Sequence, residues 1–248
     1  MSHIYLKDVN LVFQLAREKR IKDYLVHGSN RFNQFNTDRT VHALKNINLT
    51  INDGERVAIV GHNGAGKSTF LRMVSGIYAP TSGTVDVDGR ICGMFEFATG
   101  FEMEQTGWDN IYLRGLMLGD TPKEILAKMP EIAEFSELGS FLNMPVKYYS
   151  SGMLIRLAFS VSTAVRPDVL LLDEAMAAGD AAFIEKANRR MHDLMDSSKI
   201  LVLVTHSMQS AVELCNRCIW LEKGIIMADG DPKEVTEAYM ESVNRGKA

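Results

Sequence analysis

The stretch Gly61-His62-Asn63-Gly64-Ala65-Gly66-Lys67-Ser68-Thr69 has the residue types and the spacing to bind phosphate. A phosphate needs several backbone N–H groups converging on it, which glycines permit, and a helix N-terminus behind them to supply positive potential. Gly61, Gly64 and Gly66 answer the first need, and Phe70-Leu71-Arg72-Met73, which reads as the opening of a helix, answers the second. In the pattern G-x-x-x-x-G-K-[ST] the lysine reaches the β- and γ-phosphates and the hydroxyl of the last residue holds Mg²⁺. Lys67 and Ser68 take those places, so ATP with Mg²⁺ is the expected ligand.

A magnesium-bound phosphate also requires a carboxylate near the metal and a group that orients the attacking water. Val169-Leu170-Leu171-Leu172-Asp173-Glu174 offers both at the end of a buried strand, the edge at which open α/β sheets bind their ligands. Asp173 is expected to hold Mg²⁺, directly or through water, and Glu174 to act as general base on the water. His206 follows a second aliphatic run, Ile200 to Val204, and is expected to project from the same edge toward the γ-phosphate. Tyr149-Ser150-Ser151-Gly152-Met153 precedes the helical run Leu154 to Thr163; by itself it is a good helix cap, with hydroxyls and free N–H groups at a second helix N-terminus.

These residues must be positioned by strands and helices, and the hydrophobic pattern supplies them. Ile4, Leu6, Val9, Leu11 and Phe13 alternate with one slip, which predicts a strand with a bulge. Ile47, Leu49 and Ile51 run into the turn Asp53-Gly54, and Glu55 to Val60 enters the phosphate loop as a strand. Asp88-Gly89, between Thr84-Val85 and Ile91, reads as a hairpin turn of an antiparallel element. From about residue 104 to 165 the pattern is helical, with Ile111, Leu113, Leu116 and Leu118 before Thr121-Pro122 and Ile125, Leu126, Met129, Ile132 and Phe135 after it. Beyond it, strands and helices alternate again, and the chain closes on Ile219 to Leu221, the turn Lys223-Gly224, Ile225 to Ala228 and a helix opened by Asp231-Pro232. The expected fold is α/β, a parallel or mixed sheet with an antiparallel β unit and an inserted helical unit, all within one domain of residues 1–248.

Residues 14–40 interrupt this scheme. Leu15, Ile21 and Leu25 do not form a stripe wide enough for a core helix, while Arg17, Lys19, Arg20 and Lys22 concentrate positive charge. Two readings stand: a solvated helix, or a helix facing the anionic surface of a membrane.

Composition sets outer limits. A chain of 248 residues that is 46% hydrophobic and 23% charged is ordinary for a globular protein. No aliphatic run approaches the length of a membrane span, and the polar start Ser2-His3 does not resemble an export signal. With a net charge of -4 and a pI near 5.9 the chain carries no global field that would attract nucleic acid. Three cysteines make an odd number for a disulfide framework, and Cys215 and Cys218 read as a buried structural pair rather than a metal or redox site.

The order of phosphate loop, serine-glycine helix start, Asp-Glu strand end and later histidine resembles that of ABC-transporter ATPase subunits over nearly the whole chain. The resemblance implies that Ser150-Ser151-Gly152 is the family signature, Ala177-Ala178-Gly179-Asp180 the loop joining two active sites, and His206 the switch histidine. It implies a second copy of the chain, packed head to tail so that each signature closes on ATP held by the other's phosphate loop. It also implies an integral-membrane permease and a place on the cytoplasmic face of the membrane. Glu96, within Phe95-Glu96-Phe97-Ala98-Thr99-Gly100-Phe101, stands where a metal-contacting glutamine is expected; Phe35, with His42 behind it, is the candidate for stacking on adenine. Tyr-Ser-Ser-Gly-Met in place of Leu-Ser-Gly-Gly-Gln, the missing Pro-Thr-Ser after Glu174 and the basic insert are similar to the bacterial exporters of O-antigen, capsule or teichoic acid chains on lipid carriers. An importer subunit is the alternative within the family, and a soluble ABC ATPase acting on ribosomes or DNA the alternative outside transport.

Overall fold

The computed structural model describes residues 1–15, 39–95, 100–173 and 181–245. In chain order its elements are β1 (His3–Leu15), β2 (Arg39–Asn52), β3 (Arg56–Val60), α1 (Lys67–Val74), β4 (Ser82–Asp88), β5 (Ile91–Met94), α2 (Gly107–Met117), α3 (Pro122–Ser136), α4 (Ser151–Ser162), β6 (Val169–Asp173), α5 (Ala181–Ser197), β7 (Ile200–Val204), α6 (Met208–Leu214), β8 (Arg217–Glu222), β9 (Ile225–Gly230) and α7 (Pro232–Arg245). Three strands form an antiparallel sheet in the order β2-β1-β4, and six form a second sheet in the order β5-β6-β7-β3-β8-β9. In the second, every pairing is parallel except that of β8 with β9.

The strands that bear the chemistry are buried on both faces, and period-two alternation sends their side chains to opposite sides. Val57, Ile59, Leu171, Val202 and Val204 pack toward the antiparallel sheet, where Ile4, Leu6, Leu44, Leu49 and Ile51 meet them together with Phe70, Leu71 and Met73 of α1. Ala58, Val60, Leu170, Leu172, Leu201 and Leu203 pack the other way, against Phe159, Phe183, Leu194 and Ala211. Each such aliphatic side chain, fully buried, stabilises the fold by roughly 1.5–3 kcal/mol. A third cluster, Ile111, Ile125, Ile132, Leu142, Val146, Leu157 and Val161, belongs to the helices between β5 and β6.

Capping boxes start two of those helices: the Thr106 hydroxyl accepts from the Asp109 amide at the head of α2, and Thr121 does the same with Glu124 at α3, with Pro122 in its first turn. The junction between α2 and α3 is tied to the sheet by ions. Asp120, whose side chain is 1% exposed, accepts from Arg90 at 2.7 Å and from Lys128 at 2.8 Å. Arg90 also donates to the Leu118 carbonyl and, through its own amide, to Asp168.

The bulge expected in the first strand is present as register slips between Leu6 and Val12, with Asp8 at φ 52. The hairpin expected at Asp88-Gly89 is not formed. β4 pairs with β1, Val87 opposite Ile4, whereas β5 pairs with β6, Ile91 opposite Val169. Asp88-Gly89 is therefore a crossing between two sheets, because both flanking segments find longer hydrophobic partners elsewhere than each other. The ends of the 14–40 segment also differ from expectation, since β1 runs through Leu15 and β2 begins at Arg39; the helix expected in its interior lies outside the described residues. Among the described residues no helix is long and apolar enough to cross a membrane.

Candidate functional site

Parallel strands all end at the same edge, and register places the chemistry there. Ile59 stands beside Val204 in the pairing of β3 with β7, and Val204 stands beside Asp173 in the pairing of β7 with β6. The phosphate loop, His206 and Asp173 consequently leave one edge of the sheet at nearly the same level, as the sequence requires.

The loop itself is held by close backbone packing that only glycine permits at two points. A Cβ on Gly61 would lie 2.1 Å from the Leu221 carbonyl oxygen. Gly66, which caps α1, has φ 110, and a Cβ there would lie 2.8 Å from the Ala43 carbonyl oxygen. Ala65, fully buried, accepts from the Gly224 amide at 2.8 Å and donates to the His62 carbonyl at 3.1 Å. The His62 ring Nδ1 lies 2.6 Å from the Asn63 carbonyl oxygen. Ser68 and Thr69 follow as the first turn of α1, whose N-terminal N–H groups face the loop.

Lys67 Nζ donates to the carbonyls of Gly61 at 2.6 Å and His62 at 3.0 Å. An ammonium has three donors, so one remains for an anion cradled by the loop. Burial pushes the Lys67 ammonium below its ordinary value, opposed by the charge of Asp173. A phosphate arriving beside it restores the balance by adding negative charge. Ser68 Oγ donates to Asp173 Oδ2 at 3.1 Å, joining residues that are far apart in sequence. This hydroxyl and carboxylate are hard oxygen donors set next to the phosphate loop. They suit Mg²⁺, which keeps water and substrate phosphates as its other ligands and needs few from protein.

His206 follows β7 and is exposed, after Thr205, which is fully buried and accepts from the Ser207 amide at 2.9 Å. The Ser150 hydroxyl caps α4 by accepting from the Met153 amide at 3.2 Å, and Ser151 and Gly152 form the first turn. Tyr149 anchors this cap by donating from its hydroxyl to the Phe141 carbonyl at 2.8 Å. The helix belongs to the third cluster through Leu157 and Val161, while Phe159 on its other side shares a cluster with Ala58 and Val60 of β3.

Glu174, Glu96, Phe35 and the stretch Ala177-Ala178-Gly179-Asp180 lie outside the described residues. One apolar surface beside the loop escaped the sequence reading. Ala43 of β2 touches Gly66, and further back on that strand Val41, 46% exposed, pairs with Phe13 of β1. Phe13 packs edge-on against Tyr78, with ring centroids 5.2 Å apart. The signal was there, as an aromatic closing the alternation of the first strand. The cysteines Cys92, Cys215 and Cys218 are free and buried, and burial pushes each thiol up to about 12, as suits packing residues.

The sequence profile of the ABC transporter family matches residues 44–177. The chain is similar to the O-antigen export system ATP-binding protein of Klebsiella pneumoniae, 40% identical over 90% of this chain and 90% of that protein. It is 44% identical to the corresponding protein of Myxococcus xanthus over 84% of this chain, spanning 48% of that relative's length. In fold it resembles a dimeric ATP-binding cassette solved in a post-hydrolysis state with ADP and Pi, with a TM-score of 0.67, 24% identity, and coverage of 92% of this chain and 98% of that one.

Proposed function

The chain belongs to the ABC transporter family, and from that premise we propose that it is the ATP-hydrolysing subunit of a bacterial exporter of lipid-linked polysaccharide, of the O-antigen, capsule or teichoic acid type. It works as two copies packed head to tail, on the cytoplasmic face of the inner membrane, beneath an integral-membrane permease.

The phosphate loop cradles the β- and γ-phosphates with its backbone N–H groups, and Lys67 adds its remaining donor. Ser68 and Asp173 would hold Mg²⁺, which when bound neutralises charge on the phosphate oxygens. Glu174 accepts a proton from the water that attacks the γ-phosphorus, the bond to the β–γ bridging oxygen breaks, and ADP and phosphate leave. His206 contacts the γ-phosphate. Ser150, Ser151 and Gly152 of the second copy present a helix N-terminus to the same phosphate and exclude water from it. The apolar surface of Val41 and Phe13, which adjoins the loop through Ala43, receives the adenine.

The observation that carries this reading is the 3.1 Å contact of Ser68 with Asp173, which pairs a phosphate-loop hydroxyl with a strand-end carboxylate. Glu174→Gln should keep ATP binding while hydrolysis falls by about 10²–10⁴-fold, and the trapped protein should be dimeric. Light scattering with Mg-ATP reads this directly. A variant that binds ATP at micromolar concentration yet stays monomeric would remove the two-copy site.

A further inference from the structure

Phe183 is the first described side chain after Asp173, and it is 1% exposed. Its ring does not rest on the sheet alone. The guanidinium carbon of Arg156, on α4, lies 4.9 Å from its centroid. The rings of Phe159, on α4, and Phe135, on α3, meet it edge-on at 5.9 Å and 6.0 Å. Arg156 is held in that pose by Glu137 at 3.2 Å, and Glu137 also accepts from Lys186 of α5 at 2.9 Å. Lys186 in turn lies 4.6 Å from the centroid of Phe135. A buried ring faced by a cation, with T-shaped neighbours and a carboxylate fixing both cations, resists sliding better than an aliphatic contact does, because each pair has a preferred geometry.

This contact joins two parts of the chain that serve different nucleotides. α4 carries Ser150 at its head, and α5 continues the chain that leaves β6 after Asp173. In the two-copy arrangement proposed above, on which this inference rests, Ser150 closes on the partner's ATP while Asp173 serves the chain's own. Both sites close together only if those two elements come to a set spacing within each chain when nucleotide is bound. We infer that Arg156 and Phe183 form a positioning clamp between α4 and α5 that sets this spacing, so that it governs turnover and leaves nucleotide capture by the single chain untouched.

Arg156→Gln removes the cation, Phe183→Leu removes the ring, and Arg156→Lys keeps a cation over the ring. Titration with a fluorescent ATP analogue, on full-length chain too dilute to dimerise, should give affinities within about twofold of the parent for all three. In steady-state assays kcat should fall about tenfold for Arg156→Gln and for Phe183→Leu, well short of the roughly 10²-fold that misplacing a reacting group can cost. Arg156→Lys should regain most of it. The double variant should lose less than the product of the two single losses, since the Arg156–Phe183 contact is counted in both. Unchanged kcat in Arg156→Gln, losses that multiply in the double variant, or an affinity that drops in step with kcat would each overturn the clamp. Arg156 keeps some solvent exposure, so its variants remain decisive if Phe183→Leu does not fold. Glu174→Gln separates this failure from that of the underlying reading. If it dimerises with Mg-ATP while Arg156→Gln turns over normally, the clamp alone is wrong; if it stays monomeric, the two-copy site is wrong too.

Discussion

Replacing Asp120 by asparagine keeps the shape of the side chain and removes its charge, at the point where the helices between β5 and β6 are tied to the central sheet. Asp120 is 1% exposed at its side chain, while Arg90 and Lys128 are 30% and 29% exposed. Hydrogen bonds to charged groups contribute about 1.5–3 kcal/mol each. The amide retains one accepting oxygen, and water can reach both cations to replace part of what is lost. The net cost should be about 2 kcal/mol, below the 3–5 kcal/mol for breaking a fully buried pair. For a chain of this size that is about 4–8 °C in Tm. The pH dependence gives a sharper test. Burial alone would raise the Asp120 carboxyl, but hydrogen bonds from Lys128 and Arg90 hold it below its ordinary value of 3.8. A group depressed in the folded state contributes stability above its unfolded pKa and loses it as pH falls through the folded value. The gap between parent and Asp120→Asn, from urea unfolding followed by circular dichroism, should be level from pH 8 to pH 5 and shrink below about pH 4. A Tm within a degree of the parent at neutral pH, or a gap that widens in acid, would refute the assignment.

Two further substitutions probe the nucleotide site. Gly61→Ala places a methyl group against the Leu221 carbonyl, so the loop must shift, and Mg-ATP affinity measured by calorimetry should fall by at least about tenfold, given how steeply backbone cradles respond to displacement. Phe13→Ala should weaken ATP by about 1–3 kcal/mol if the base rests on the Val41 and Phe13 surface, while inorganic tripolyphosphate, which has no base, should bind as before; equal losses for both ligands would move the adenine elsewhere.

Much of the site was legible because its pieces are local. The glycine spacing of the phosphate loop, the aliphatic run ending in Asp173 and the Ser150 cap each need only a short stretch of chain, and each reading depends on backbone rules that hold regardless of neighbours. Pairings between distant segments were not legible. Nothing near Asp88-Gly89 says that β4 prefers β1 and β5 prefers β6; an Asp-Gly between two strand-like runs has the same local chemistry whether it turns a hairpin or links two sheets. The same holds for Arg156 and Phe183, whose meeting depends on how α4 crosses α5. Phe13 reads in the sequence only as the last apolar residue of a strand; that it stands beside the loop depends on the pairing of β1 with β2 across the 14–40 segment.

The division of the apolar packing into clusters bears on the two-copy arrangement proposed above. The phosphate loop is locked by the cluster between the two sheets, through Phe70, Leu71 and the Ala65 amide network. Ser150 heads α4, which packs through Leu157 and Val161 in the helices between β5 and β6 and through Phe159 in a cluster with Ala58 and Val60 of β3. A helix N-terminus with small residues in its first turn is well suited to phosphate, yet here Met153 and Leu154 just behind it pack in the helical unit and not in the cluster that locks the phosphate loop. If both acted on the same nucleotide within one chain, there would be no reason to hold them on separate clusters tied together by the Asp120 ions and the Arg156 contact. If each acts on a nucleotide shared with a second copy, the arrangement follows directly. The loop must stay rigid to hold its own ATP, and the helix must be carried at a set distance to meet the other's. In that proposed arrangement the ties between clusters turn two binding events into one closure.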